Sequence, residues 1–247
     1  MSTYDEFSAL YDMFTDDVDY KGNTEKLLSY FKKYDRPPTL LLDLACGTGG
    51  FSFEFAKNGI DVIGVDRSEG MLSSAIEKLS PGSNNPLFLN QSAEELELYG
   101  TVDGAVCLLD SINHIIDEDA LQTAFNRVSL FLEPGRLFMF DVNTPYKHSQ
   151  VLGNNTFVRE KDNAFCVWQN QCEDDVTVDI FLDLFVERED GNYNRLSEEF
   201  SERAYSDDEI TQMAVASGLE VLDRIDWDSG EEPKEDSQRI LYIVRKK

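Results

Sequence analysis

The chain has 247 residues, enough for one large domain or one domain with a modest insertion, and too few for two separate domains of ordinary size. Its 22 basic and 48 acidic residues leave a formal charge of −26, which repels phosphate backbones and anionic membranes, so neither a nucleic-acid nor a membrane partner is expected. The stretch MSTYDEFSALYD lacks a basic start and an apolar core, and no apolar run approaches the roughly 20 residues that cross a bilayer, so the expected location is cytoplasmic.

Leu27, Leu28, Tyr30, Phe31 and Tyr34 recur at helical spacing over 23–34, and Pro37 and Pro38 stop that helix. A strand over 40–45 runs into the glycine-rich CGTGG, a helix follows in FSFEFAKNG, and DVIGVD is the second strand. Ser68 caps a helix whose apolar residues Met71, Leu72, Ala75, Ile76 and Leu79 share one face. A short strand over 86–89, a strand in VDGAVCLL, a helix over 118–132 and a strand in RLFMFDV complete the alternation. Strand and helix in strict turn imply a parallel sheet covered on both faces. After Val142 the pattern changes. Three β-prone runs, 165–171, 176–187 and 193–203, are separated by the turn chemistry of CEDD and EDGN and predict an antiparallel meander. A helix over 207–217 then leads to strands over 219–225 and 239–244. Their linker is too short and polar for a crossover helix, so these strands are expected to pair antiparallel at the sheet edge.

Four cysteines, Cys46, Cys107, Cys166 and Cys172, form no CxxC pair, and His114 and His148 are the two histidines, so no metal site is expected. Cys46 and Cys107 lie in apolar runs and are expected as buried free thiols. The glycine turn poses the chemical question. A dinucleotide fingerprint needs GxGxxG, and the frame beginning at Gly47 and Gly49 meets Ser52 at the third glycine position. Asp43 stands four residues before Gly47, where a carboxylate repels pyrophosphate and favours an ammonium. Asp66 closes the second strand, where an acid accepts both hydroxyls of a ribose. A nucleoside joined to a cationic head group describes S-adenosylmethionine.

DLACGTGG, VIGVDRSEGML and VDGAVCLLDSINHI, in that order and spacing, resemble the first, second and fourth-strand motifs of class I S-adenosylmethionine-dependent methyltransferases. The stretch YDEFSALYDMF is similar to the tyrosine-rich lead helix of the branch that methylates small molecules, amino-sugar N-methyltransferases among them. The resemblance implies an α/β, Rossmann-like, doubly wound sheet of seven mostly parallel strands with an antiparallel terminal pair and an inserted antiparallel β lid. It divides the chain into a core with a helical N-terminal cover, 1–144 and 205–247, and a lid, 145–204. It further implies that Asp43 and the backbone at Ala45 and Gly47 hold the methionine end and that Asp66 takes the ribose. Arg67 and Met71 would flank the adenine, Gln91, Ser92 and Ala93 would face its edge, Leu109 and Asp110 would line the methyl-donor end, and Tyr11 would approach from the lead helix. Two departures stand out: Ser92 where relatives often carry an acid, and PGR with Arg136 where PGG is common.

Methyl transfer is an in-line displacement from an activated donor, so catalysis rests on positioning and on excluding water, with no covalent protein intermediate and no metal. An amine or hydroxyl acceptor must lose a proton. The catalytic candidates are Asp110, His114 and Tyr11. His114 is the titratable group nearest the fourth-strand motif, with helix capping or packing as its other reading. Asp110 ends a strand that faces the crevice, or caps the helix that follows. Ser111 and Asn113 share its turn. His148 reads as a surface loop histidine or a site residue, Tyr4, Tyr11 and Tyr20 as an aromatic cover, with core packing the other reading of Tyr4 and Tyr20, and Trp168 and Gln169 as facing substrate or anchoring the inserted sheet. The expected function is methyl transfer to an N or O atom of a small molecule by a monomer or homodimer. The rivals are a non-catalytic cofactor-binding protein and a nicotinamide-dependent oxidoreductase.

Overall fold

The computed structural model describes residues 11–247; Tyr4 and the first part of the lead segment lie outside them. The elements are α1 (Tyr20–Tyr34), β1 (Leu40–Leu44), α2 (Gly50–Lys57), β2 (Asp61–Asp66), α3 (Glu69–Glu77), β3 (Leu87–Asn90), β4 (Gly104–Cys107), α4 (Glu118–Phe131), β5 (Leu137–Asn143), β6 (Thr156–Lys161), β7 (Ala164–Cys172), β8 (Thr177–Glu187), β9 (Tyr193–Arg203), α5 (Asp207–Ala216), β10 (Leu219–Asp226) and β11 (Arg239–Lys246). One seven-stranded sheet runs β10-β11-β5-β4-β1-β2-β3, and a separate four-stranded antiparallel sheet runs β6-β7-β8-β9.

In the large sheet β3, β2, β1, β4 and β5 are parallel, while β11 runs antiparallel to β5 and β10 antiparallel to β11. The β-prone, non-alternating runs LLLDL, GAVC and LFMFDVN suit strands covered on both faces, and β4 and β5 are buried along their whole length. One apolar layer gathers Phe125, Phe138, Phe140, Ile210 and Tyr242 under α4 and α5, with the Phe140 and Tyr242 rings stacked 5.2 Å apart. The other gathers Leu27, Phe31, Leu41, Phe55 and Met139 under α1 and α2. Helix starts follow local chemistry: Ser68 accepts from the Met71 amide, Asp117 from Ala120, and Ser206 with Glu209 forms a capping box. Strand order reverses between β1 and β4, which opens a crevice at their carboxyl ends.

The structure corrects the expectations in three places. β4 is shorter than VDGAVCLL, because Leu109 and Asp110 both turn left-handed, at φ 58° and 52°. The meander has a fourth strand, β6, an exposed edge whose TFVREK shows no alternating burial for sequence patterning to register. Cys107 and Cys166 are buried, but Cys46 and Cys172 are only half-buried. Among the described residues no helix is long and apolar enough to cross a membrane.

Residues 11–19 cross from the core to the small sheet. Thr48 donates to Asp12 at 2.5 Å and Lys78 pairs with Asp12 on the core side. On the other side Lys161 pairs with Asp16, Arg159 lies 3.2 Å from Asp17, and Arg159 also donates to the Phe14 carbonyl.

Candidate active site

The β1–α2 turn is built by its backbone. Ala45, Gly47 and Gly49 hold φ of 55°, 55° and 81°, a region in which glycine is unstrained and alanine is not. At Gly50 a Cβ would run into the Tyr20 ring, so this glycine lets α1 close on the turn. Asp66 braces the same turn: its Oδ2 accepts from the Gly47 amide and its Oδ1 from the Ser68 amide, both at 2.8 Å. Each oxygen retains a second lone pair, so the carboxylate can still accept from two ribose hydroxyls. Burial pushes Asp66 above the ordinary carboxylate range, against the pull of those two amides.

Asp43 is 2% exposed, and its Oδ2 accepts from Ser52 at 2.5 Å. Burial pushes its carboxyl up to about 7, Ser52 opposing and Asp66 reinforcing the rise. Ser52, at the third glycine position of the dinucleotide pattern, is therefore the partner of the acid. Two carboxyl groups at the turn make it hostile to a pyrophosphate. Asp43, Ala45, Gly47, Leu109 and Tyr11 line one cavity of about 40 Å³ together with Ser111. That volume holds about one water molecule. Burial pushes the Tyr11 phenol up, with Tyr20, Asp110 and Asp66 adding to it; a phenol held neutral donates a hydrogen bond and is a poor base.

The remaining cofactor candidates flank this turn. Met71 occupies the first turn of α3, and Arg67 is exposed beside Asp66. Gln91 is engaged at both ends of its amide with the Glu97 backbone, at 2.9 and 3.2 Å, so it shapes its own loop. Ser92 donates to Glu95 at 3.3 Å, and Ala93 packs against the core.

Beyond β4 the crevice is lined by a polar cluster. Asp110 does not cap the following turn with its side chain. Its Oδ1 accepts from Arg239 at 2.6 Å and its Oδ2 from Asn143 at 2.7 Å. Burial pushes Asp110 up, but Arg239, Lys147 and His114 together outweigh that and hold it below the carboxylate range. An ionised, doubly bonded carboxylate of this kind positions and does not take protons. Asp141, fully buried, accepts from the amides of Leu109 and Asp110 at 2.8 and 3.0 Å and so holds their left-handed turn. His114 is half-exposed, 5.2 Å from the Phe200 ring, with Nε2 3.6 Å from Glu202 of β9. Burial lowers its pKa, Asp110 opposing, so it stays a neutral imidazole near pH 7. Asn113 ties the two sheets together, donating to the carbonyls of Asn143 and Arg203.

His148, expected at the surface, is fully buried and bonded to the Val176 carbonyl at 2.7 Å, because the helical turn 147–152 packs on β7 and β8 of the small sheet. Trp168 packs within the small sheet against Phe157. Sequence reasoning missed Asn143, Lys147, Glu202 and Arg239. Arg239 and Glu202 come from strands far along the chain, and only the fold brings them to Asp110 and His114.

An open sheet with a glycine turn at its switch point, Asp66 closing β2 and Ser52 bonded to Asp43 in place of the third dinucleotide glycine is the arrangement of a nucleoside-binding α/β enzyme core of the methyltransferase kind. A methyltransferase-domain family model matches residues 41–135. The Bacillus subtilis protein YqeM is 30% identical over 98% of this chain and 97% of its own. A crystal structure of an S-adenosylmethionine-dependent methyltransferase from Clostridium acetobutylicum is 36% identical, covers 98% of each chain and superposes with a TM-score of 0.88. CalS10 of Micromonospora echinaspora, an amino pentose methyltransferase solved with S-adenosylmethionine bound, shares the fold at 17% identity, covering 98% of this chain and 96% of its own, with a TM-score of 0.77. The chain belongs to the S-adenosylmethionine-dependent methyltransferases, and S-adenosylmethionine is its cofactor.

Proposed function

We propose that the chain transfers a methyl group to an N or O atom of a small molecule enclosed between the large sheet and the inserted segment 145–204, which acts as a lid. The observation that carries this reading is the meeting of the two sheets over the end of β4. Glu202 of the inserted sheet reaches His114 of the core, and Asn113 bonds across to Arg203. A roof this close to the crevice suits a small acceptor better than a protein surface. CalS10, which shares the architecture, acts on an amino pentose.

In this reading Asp66 holds the ribose, and Asp43 with the backbone at Ala45 and Gly47 holds the methionine end. Arg67, Met71 and the 91–93 segment surround the adenine, and Leu109 faces the donor methyl. When bound, S-adenosylmethionine supplies an electrophilic methyl group on a sulfonium. The chain's contribution is alignment and dryness: the strained Leu109–Asp110 turn, held by Asp141, fixes the approach, and the 11–19 segment and the lid exclude water. Tyr11 would close the cofactor side as a hydrogen-bond donor, and His114 would take the acceptor's proton.

The test is transfer of labelled methyl from S-adenosylmethionine to a panel of small amines and alcohols, run with the whole chain and with a chain in which 151–202 is replaced by a short linker. Labelled product with the whole chain alone, with S-adenosylhomocysteine still bound by both, is expected. Retained turnover without the lid would place the acceptor elsewhere.

A further inference from the structure

We infer that Glu202, carried on the inserted sheet, stands as a neutral carboxylic acid between the two histidines and sets the tautomer of His114, leaving Nδ1 as the bare nitrogen that takes the acceptor's proton. This rests on the reading of His114 as the base for an enclosed acceptor.

Glu202 is 5% exposed, at the end of β9 that meets the core. Its Oε2 is 3.7 Å from His148 Nε2, and its Oε1 is 3.6 Å from His114 Nε2. Both separations exceed a hydrogen bond by a few tenths of an ångström, as catalytic contacts often do before the reacting complex forms. The order of donors starts at His148. Its Nδ1 lies 2.7 Å from the Val176 carbonyl, and a carbonyl only accepts, so Nδ1 carries the hydrogen of that ring. Nε2 is then a lone pair, and it is buried with no hydrogen-bond partner among the described residues. A carboxylate opposite it would set two acceptors face to face, whereas an acid protonated on Oε2 offers an O–H. That oxygen can still accept the Asn143 amide, 3.5 Å away. With the hydrogen on Oε2, Oε1 is a carbonyl oxygen and only accepts. The nitrogen facing it, His114 Nε2, therefore carries the hydrogen of its own ring. His114 Nδ1 keeps its lone pair and has no hydrogen-bond partner among the described residues.

An imidazolium at His148 beside a carboxylate would hold the same number of protons but would bury two charges. Burial pushes Glu202 up to about 8, Asp110 adding to the rise while Lys147, Asn143 and Arg239 oppose it. Burial also lowers His148; the Val176 bond, Asp110 and Asp174 oppose this, and Lys147 adds to it. The neutral pair is the form that both the donor pattern and the surrounding charges favour.

In the transfer step the acceptor's lone pair bonds to the methyl carbon, and the carbon–sulfur bond breaks with its electron pair left on sulfur. The acceptor's N–H or O–H proton goes to His114 Nδ1. The positive charge of the sulfonium thus reappears as that of an imidazolium, which burial and Arg67 oppose and Asp110 and Asp66 favour. The half-exposed ring then returns the proton to solvent. Glu202 takes no proton from the acceptor; it acts through His114 and is a positioning residue.

Glutamine copies the neutral acid, with an N–H for His148 and a carbonyl for His114, whereas leucine fills the space with neither. The full chain, isotope-labelled in its two histidine rings, would be compared by ring-nitrogen NMR near neutral pH as wild type, Glu202→Gln and Glu202→Leu, with His114→Gln to assign the rings. Expected in the wild type are two neutral rings, His148 with its hydrogen on Nδ1 and His114 with its hydrogen on Nε2. The Gln variant should keep that pattern, and the Leu variant should show His114 exchanging between tautomers. Raising the pH past about 8 should shift the ring nitrogens of the wild type as Glu202 ionises, and leave those of the Gln variant in place. An imidazolium at His148 in the wild type, a hydrogen on His114 Nδ1, or a changed tautomer in the Gln variant would overturn the assignment. No acceptor and no turnover enter the measurement. A failure of the proposed acceptor site therefore leaves these signals as expected, and a failure of the tautomers shows without any acceptor.

Discussion

Asp43→Asn separates two roles of the buried acid in the glycine turn. Its carboxyl moves from an ordinary 3.8 to about 7 on folding. An acid with a raised folded value binds more protons folded than unfolded, so stability falls as pH rises from about 4 to about 7 and is level above. Roughly three pH units at about 1.4 kcal/mol each make about 4 kcal/mol, of which about 3 falls between pH 5 and 8. The amide keeps the bond from Ser52 but cannot ionise; its unpartnered N–H groups cost about 1 to 3 kcal/mol at any pH. Calorimetric unfolding of the two proteins at both pH values should therefore show the variant gaining about 3 kcal/mol on the wild type as pH rises, roughly 6 to 12 °C in relative melting temperature for a chain of this size. A stability difference that is the same at both pH values would refute the buried, neutral Asp43. The ligand arm runs the other way. An ammonium beside Asp43 reionises it, so S-adenosylhomocysteine binding near pH 6 should release a proton from the wild type, visible as a buffer-dependent binding enthalpy. The Asn variant should release none and bind more weakly.

Arg239→Met leaves Asp110 and Asp141 without the guanidinium that pairs with both. Removing one side of a buried pair costs about 3 to 5 kcal/mol, and Arg239→Met combined with Asp110→Asn should recover part of that in denaturant unfolding; no recovery would deny the pairing. Gly50→Ala drives a methyl group into the Tyr20 ring and should cost about 1 to 3 kcal/mol, read as a lower melting temperature; an unchanged one would mean that α1 does not press on the turn. Asp12→Ala removes the partner of Lys78 and Thr48 and should speed S-adenosylhomocysteine dissociation in stopped flow, with the dissociation rate of the wild type rising toward it in high salt. Equal rates would mean the 11–19 segment does not gate the pocket.

The α/β alternation, the cofactor motif and the antiparallel ends were legible because each is local. LLLDLACGTGG states a buried strand and a turn within eleven residues, and Ser68 states the start of the helix that follows it. The strand β6 was not, since an exposed edge gives no periodic burial. Nor was the depth of His148, which is set by a helical turn packed on the small sheet. At the site the sequence marked Asp43, Asp66, Asp110 and His114, all on or beside strand ends. It could not mark Glu202 or Arg239, whose approach to Asp110 spans 129 residues for the arginine and follows only from β11 lying beside β5. Ser52 was readable as a departure from the dinucleotide pattern, while its bond to Asp43 was not.

The most direct test of the central claim is calorimetric titration of the protein with S-adenosylhomocysteine, run beside NAD in the same buffer, with Asp66→Ala as the control for the pocket. The account predicts tight binding of the first, no binding of the second, and a loss of about 100-fold or more in the variant, which forfeits two charge-assisted ribose bonds and the brace on Gly47. Binding of NAD without S-adenosylhomocysteine would mean that the turn holds phosphates and would contradict the account.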